Sequence, residues 1–186
     1  MAIISIVGTS GVGKSFLIKQ LSAIECLPAF FEGEEGTIPK NILENVFSNA
    51  DPSKRYNWFI NHYKKILSNA KKVSDLGLDC YTDCSELSAR AILAAENADI
   101  NFTLPKSNQL VLLIASKEKL QKLIKLRNRN SEKSEKAIIR SLKIQDQFIE
   151  LAKKESFLII DRSKLDFLQE EDLKFVLKKI KEKKNL

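Results

Sequence analysis

Glycine and proline are scarce, six and four residues in a chain of 186, which leaves little room for long flexible linkers. Cysteine is scarcer still. Cys26, Cys80 and Cys84 are an odd number and do not suggest a disulfide framework. Cys80 and Cys84 are spaced like half a metal site, but no second Cys/His pair follows, and the single histidine is His62. Reduced thiols of this kind are expected of a cytoplasmic protein. No apolar run approaches the roughly 20 residues that span a bilayer, so no membrane partner is expected. Residues 1–7, MAIISIV, lack the basic leader of a signal peptide and run straight into a glycine-containing segment. They read as a first strand.

What is present is ordinary globular material. Hydrophobic residues make up 44% and charged residues 30%, proportions that allow a sizeable core and argue against disorder. The formal charge is +7, but the lysines are spread over several helical faces, with the densest run at Lys178, Lys179, Lys181, Lys183 and Lys184. A solvated face and a terminal tail account for that run, so the charge does not point to nucleic acid. It suits a polyanionic small molecule equally well.

Five apolar stretches have strand character: residues 2–7, 28–32, 76–83, 110–115 and 156–160. Several are nearly continuous, as in strands covered on both faces. Helical spacing separates them, in Tyr56, Ile60, Tyr63, Leu67 and Ala70, in Leu120, Leu123 and Ile124, in Ile144, Phe148, Leu151 and Ala152, and in Leu173, Val176, Leu177 and Ile180. Ser116 stands where a helix N-cap belongs. Alternation of this kind predicts an α/β, three-layer fold with a five-stranded parallel sheet flanked by helices. No repeat or boundary divides it, so residues 1–186 are expected to form a single domain.

Gly8-Thr9-Ser10-Gly11-Val12-Gly13-Lys14-Ser15 matches G-x-x-x-x-G-K-[ST] without a mismatch. Glycines let the backbone turn tightly and aim successive N–H groups at phosphate oxygens. A helix starting near Gly13 adds its positive end. Lys14 places a cation on the β/γ-phosphates, and the Ser15 hydroxyl completes a Mg2+ shell. An apolar strand before the motif and an amphipathic segment, residues 16–24, after it are the context such a P-loop requires. ATP and Mg2+ are the expected cofactors. The guanine-reading N-K-x-D signature is absent, which counts against a GTPase, and the chain is short for a motor or transport ATPase.

Four further segments resemble the deoxynucleoside kinase family, close kin of thymidylate kinase. Phe30-Phe31-Glu32 ends the second strand, and the resemblance makes Glu32 the base that meets a sugar 5′-hydroxyl. Asp51-Pro52-Ser53-Lys54-Arg55-Tyr56-Asn57-Trp58-Phe59-Ile60-Asn61-His62-Tyr63 is similar to the helix that reads the base. It implies Asn61 in place of a base-reading Gln, with Trp58, Phe59 and Tyr63 supplying pocket residues. Asp83-Cys84-Ser85, followed by Ser88 and Arg90, resembles a Glu/Asp-Arg-Ser motif and its helix. Asp83 would support the metal and Arg90 would lie near the base or Glu32. Cys84 stands where the family has an arginine. Ala89 replaces a residue that is acidic in some relatives, which hints at pyrimidine acceptors.

Leu126-Arg127-Asn128-Arg129-Asn130-Ser131-Glu132 resembles an arginine-bearing lid over about 127–136, in which Arg127 and Arg129 would stabilise the transferring group. Leu123 stands where many relatives carry a further arginine. The resemblance spans nearly the whole chain and implies a deoxynucleoside kinase, a phosphotransferase of a family whose members are often homodimers. A thymidylate-like monophosphate kinase and a nucleotide-binding module of weak catalytic power are the alternatives. The implied partner is a nucleoside or nucleotide small molecule.

Overall fold

Period-two alternation in the first strand builds both faces of the sheet. In β1 (Ile3–Val7) every residue is buried. Ile4 and Ile6 pack to one side with Leu17, Ile18 and Leu21, while Ile3 and Val7 pack to the other. The computed structural model describes residues 1–33, 42, 52–127 and 134–184, with the backbone alone at 52–54 and 184. In chain order the elements are β1, α1 (Lys14–Glu25), β2 (Ala29–Phe30), α2 (Pro52–Asp75), β3 (Cys80–Thr82), α3 (Glu86–Ala95), β4 (Gln109–Ile114), α4 (Lys117–Arg127), α5 (Glu135–Lys154), β5 (Leu158–Asp161), a 3-10 turn (Arg162–Lys164) and α6 (Glu170–Lys184).

All five strands run parallel in the order β2-β3-β1-β4-β5. The expected α/β fold with a five-stranded parallel sheet is the one observed. One core joins α1 and α6 to the sheet through Leu17, Leu21, Leu173, Val176 and Ile180. On the opposite face, Ile66, Leu67 and Ala70 of α2 and Ile144 and Phe148 of α5 cover the strands. Burial of such side chains stabilises each by roughly 1.5–3 kcal/mol.

Strand β3 is shorter than its apolar stretch predicted, because α2 runs on to Asp75 and closes in a Schellman turn. The Leu78 N–H donates to the Val73 carbonyl (3.3 Å) and the Gly77 N–H to that of Ser74 (3.0 Å). Gly77 takes φ 89°, which a side chain would oppose. Leu76 and Leu78 are consequently exposed rather than in the sheet. Ser116 does cap α4, its hydroxyl accepting the Lys119 N–H at 3.2 Å. Among the described residues no helix is long and apolar enough to cross a membrane.

Candidate active site

β1 delivers the chain to residues 8–15 at the C-terminal edge of the sheet, where ligands bind in open parallel sheets. Gly13 adopts φ 99°, and a Cβ there would lie 1.6 Å from Nη1 of Arg162. The backbone and the packing therefore both demand glycine. The loop is held from two sides. Thr9 Oγ1 donates to the Ser141 carbonyl of α5 (2.7 Å), and Arg162 Nη1 donates to the Val12 carbonyl (2.6 Å). α1 starts at Lys14, so its positive end faces the loop. Lys14 Nζ bends over the loop to the Thr9 carbonyl at 3.1 Å.

An acidic half meets this cationic one. Asp83, just after β3 and almost fully buried, accepts the Ser15 hydroxyl at 3.0 Å and the Glu32 N–H at 2.6 Å, one on each carboxylate oxygen. The Glu32 carboxylate accepts the Tyr63 hydroxyl at 2.9 Å, and His62 Nε2 bonds the Glu32 carbonyl. Burial, then the neighbouring Asp83 charge, raise the Glu32 pKa above its ordinary value, opposed by Lys14 and Tyr63. Burial raises that of Asp83 as well, opposed by Lys14. Among the described residues no group of three His, Cys, Asp or Glu side chains could hold a metal. Ser15 and Asp83 are two adjacent oxygen donors that could hold magnesium only with phosphates and water completing its shell.

These groups share one cavity of about 560 Å³, which runs from the P-loop between α2, α3 and α5. Its walls include Gly8, Thr9, Ser10, Gly11, Lys14, Ser15, Glu32 and Asp83, and, further in, Phe59, Ile60, Tyr63, Ser88 and Ala89. Arg127 also lines it and reaches the Ser10 hydroxyl at 3.5 Å. Arg129 and most of the expected lid lie outside the described residues.

Three expected substrate contacts face elsewhere. Asn61 is exposed, and Ile60, one position earlier, supplies the cavity wall in its place. The helical phase of α2 decides this, since Phe59, Ile60 and Tyr63 share the inward face. Trp58 is half-buried outside the lining, stacked on His62 with ring centroids 4.8 Å apart. Arg90 is half exposed and pairs with Glu86 one turn before it on α3. Cys84 is fully buried among Tyr63, Leu67, Ala89 and Leu104 and does not reach the cavity.

Sequence reasoning missed two cationic features. Arg162, 7% exposed, follows β5, lies with its guanidinium carbon 4.3 Å from the Phe167 ring centroid and props the P-loop. Arg55 and Arg140 line the far end of the cavity and both pair with Glu96. Separations of 150 residues from Val12 to Arg162, and of 41 and 44 to Glu96, left no local pattern to read.

No protein-family model matches the chain, and no curated protein matches it by sequence. Solved structures do match its fold. M. mycoides deoxyadenosine kinase with the products dCMP and dCDP bound superposes with a TM-score of 0.74 at 17% identity, over 97% of this chain and 99% of that one. The same enzyme with bound dATP gives 0.72 at 19% identity, over 97% and 100%. Thymidylate kinase from Candida albicans gives 0.70 at 17% identity, over 99% and 92%. Residues 1–186 thus share, over nearly their whole length, the fold of the deoxynucleoside and nucleotide kinases.

Proposed function

We propose that the protein transfers the γ-phosphoryl group of ATP to the 5′-hydroxyl of a deoxynucleoside. The observation that carries this is the meeting of a P-loop, Lys14 and Ser15 with two adjacent carboxylates, buried Asp83 and half-buried Glu32, in one cavity. Loop amides and Lys14 hold the donor phosphates, and Arg127 approaches from α4. Ser15 and Asp83 would hold magnesium, which supplies charge neutralisation at the phosphates. Glu32 accepts the hydroxyl proton as the oxygen bonds to the γ-phosphorus, the bond to the β-phosphate oxygen breaks, and ADP leaves. Tyr63 orients that carboxylate. Asp83 orients both Ser15 and the Glu32 backbone, so the base and the donor site are fixed to one side chain.

A neutral hydroxyl acceptor suits this end of the cavity better than a phosphate would. A nucleoside monophosphate would bring its dianion against Glu32 and Asp83, with the arginine expected at position 84 absent. Thymidylate-like kinase activity is thus the second reading. Incubating the protein with Mg2+ and labelled ATP against deoxynucleosides and deoxynucleoside monophosphates separates them. Label transfer to nucleosides is expected. Transfer to monophosphates alone supports the second reading, and ATP binding without transfer to either leaves only a regulatory nucleotide-binding module.

A further inference from the structure

The cavity has two polar ends, and the second has no part in phosphoryl transfer as derived above. It is built from Arg55 and Tyr56 in the first turns of α2, Glu96 at the C-cap of α3 and Arg140 of α5. Arg55 and Arg140 (Nε, 2.5 Å) both pair with Glu96, which also accepts the Tyr56 hydroxyl. The Arg55 guanidinium carbon lies 4.5 Å from the Tyr56 ring centroid. One carboxylate thus braces two guanidinium groups. Arg140 gives only its Nε to Glu96. Among the described residues its two terminal nitrogens have no partner, and the residue lines the cavity.

Helix geometry places this cluster relative to the chemistry. Tyr63, bonded to Glu32, lies eight residues after Arg55 on α2, about 12 Å at 1.5 Å per residue. Asp83 and Ser85 stand before α3 and Glu96 after its ten residues, about 15 Å by the same rise. α3 therefore carries the two polar ends at its opposite termini and α2 carries them at its first turn and its middle, with Ile60, Ala89 and Leu93 between them. An acceptor whose hydroxyl is at Glu32 presents its far edge to Arg140. The far end offers guanidinium donors, and among the described residues no Asn, Gln or carboxylate lines it to receive an exocyclic amine.

Resting on the nucleoside-kinase reading above, we propose that Arg140, braced by Glu96 and Arg55, selects acceptors whose base turns a ring carbonyl toward it, and disfavours bases with an amino group there. Guanidinium forks pair with oxo and ring-nitrogen acceptors of bases and meet an amino group as donor against donor. Oxo bases, such as hypoxanthine, guanine, thymine and uracil, form the favoured class.

Matched pairs that exchange an oxo for an amino group, with the accompanying proton on the adjacent ring nitrogen, test this. kcat/KM is measured for deoxyinosine against deoxyadenosine and for deoxyuridine against deoxycytidine, in the wild type and in R140M and R140K. The oxo member is expected to win each pair by roughly tenfold or more, the size of one good discriminating contact. R140M should bring both ratios near one, and R140K should leave an intermediate ratio, because lysine keeps the charge but not the fork. Preference for the amino member, or ratios that R140M leaves unchanged, overturns the proposal. If no nucleoside is phosphorylated, the kinase reading fails by itself. Calorimetric binding of the same pairs then decides the selection step, and equal or absent binding overturns it.

Discussion

Burial and a like neighbour, Asp83, both raise the pKa of the Glu32 carboxylate and so disfavour its charged form, with Lys14 and Tyr63 opposing them. The same strain that makes it a stronger base costs the fold stability. Its folded pKa is raised, so the stabilisation is complete below the unfolded value and is lost as pH rises through the folded one. E32Q should therefore lower kcat by about 10²–10⁴ while sparing ATP affinity. It should also raise the melting midpoint of the ligand-free protein at pH 7 by roughly 2–4 °C. That gain should shrink as pH falls through the raised folded pKa and be gone below the ordinary carboxylate range, which a melting series over pH checks. Tyr63 acts in the opposite direction, because its hydrogen bond favours the carboxylate. In Y63F the acid limb of the kcat/KM profile should move to higher pH. Gly13 has no such tolerance. G13A places a methyl group on the Arg162 guanidinium at a positive φ, and should cost about 1–3 kcal/mol in denaturant unfolding as well as ATP binding.

Two helices act as rulers for the site. α3 begins with a reciprocal capping box between Ser85 and Ser88, two residues after Asp83. That box fixes where the helix starts and so how Asp83 leaves β3. S85A should cost about 1 kcal/mol and lower the midpoint by roughly 2–4 °C. α5 holds the loop through Thr9 and the far end of the cavity through Arg140, which lie one residue apart on it at Ser141 and Arg140. The phosphate loop and the far end of the cavity are thereby tied to a single helix. The phase of α2 shows how much depends on a single residue of rotation. The aromatic helix was legible in the sequence, but which of Ile60 and Asn61 faces inward was set by packing of Tyr63, Ile66 and Leu67 against the sheet.

At the scale of the molecule, the parallel order β2-β3-β1-β4-β5 brings the ends of β1, β2 and β3 to one edge, and with them Lys14, Glu32 and Asp83. A ligand that binds only this assembled edge stabilises the whole fold. Mg2+ and ATP at about 100 times Kd should add roughly 2.7 kcal/mol and raise the midpoint by about 5–10 °C. K14A should remove most of that shift with little change in the ligand-free midpoint. A shift that K14A leaves intact would place the nucleotide elsewhere.

The sequence by itself determined what depends on short stretches of chain. Strand and helix alternation, the phosphate loop and the acids at the ends of the second and third strands are local patterns, each dictated by periodicity or by a turn that few residues can make. Tertiary structure alone decided the cationic architecture. Arg162 under Gly13, Cys84 buried in an apolar cluster rather than facing substrate, and Glu96 bracing Arg55 and Arg140 all join residues far apart in the chain. A guanidinium looks the same in sequence whether it faces water, a loop carbonyl or a cavity. Only the packing of helices on the sheet distinguishes these positions, because it sets which side chains lose their water and meet one another.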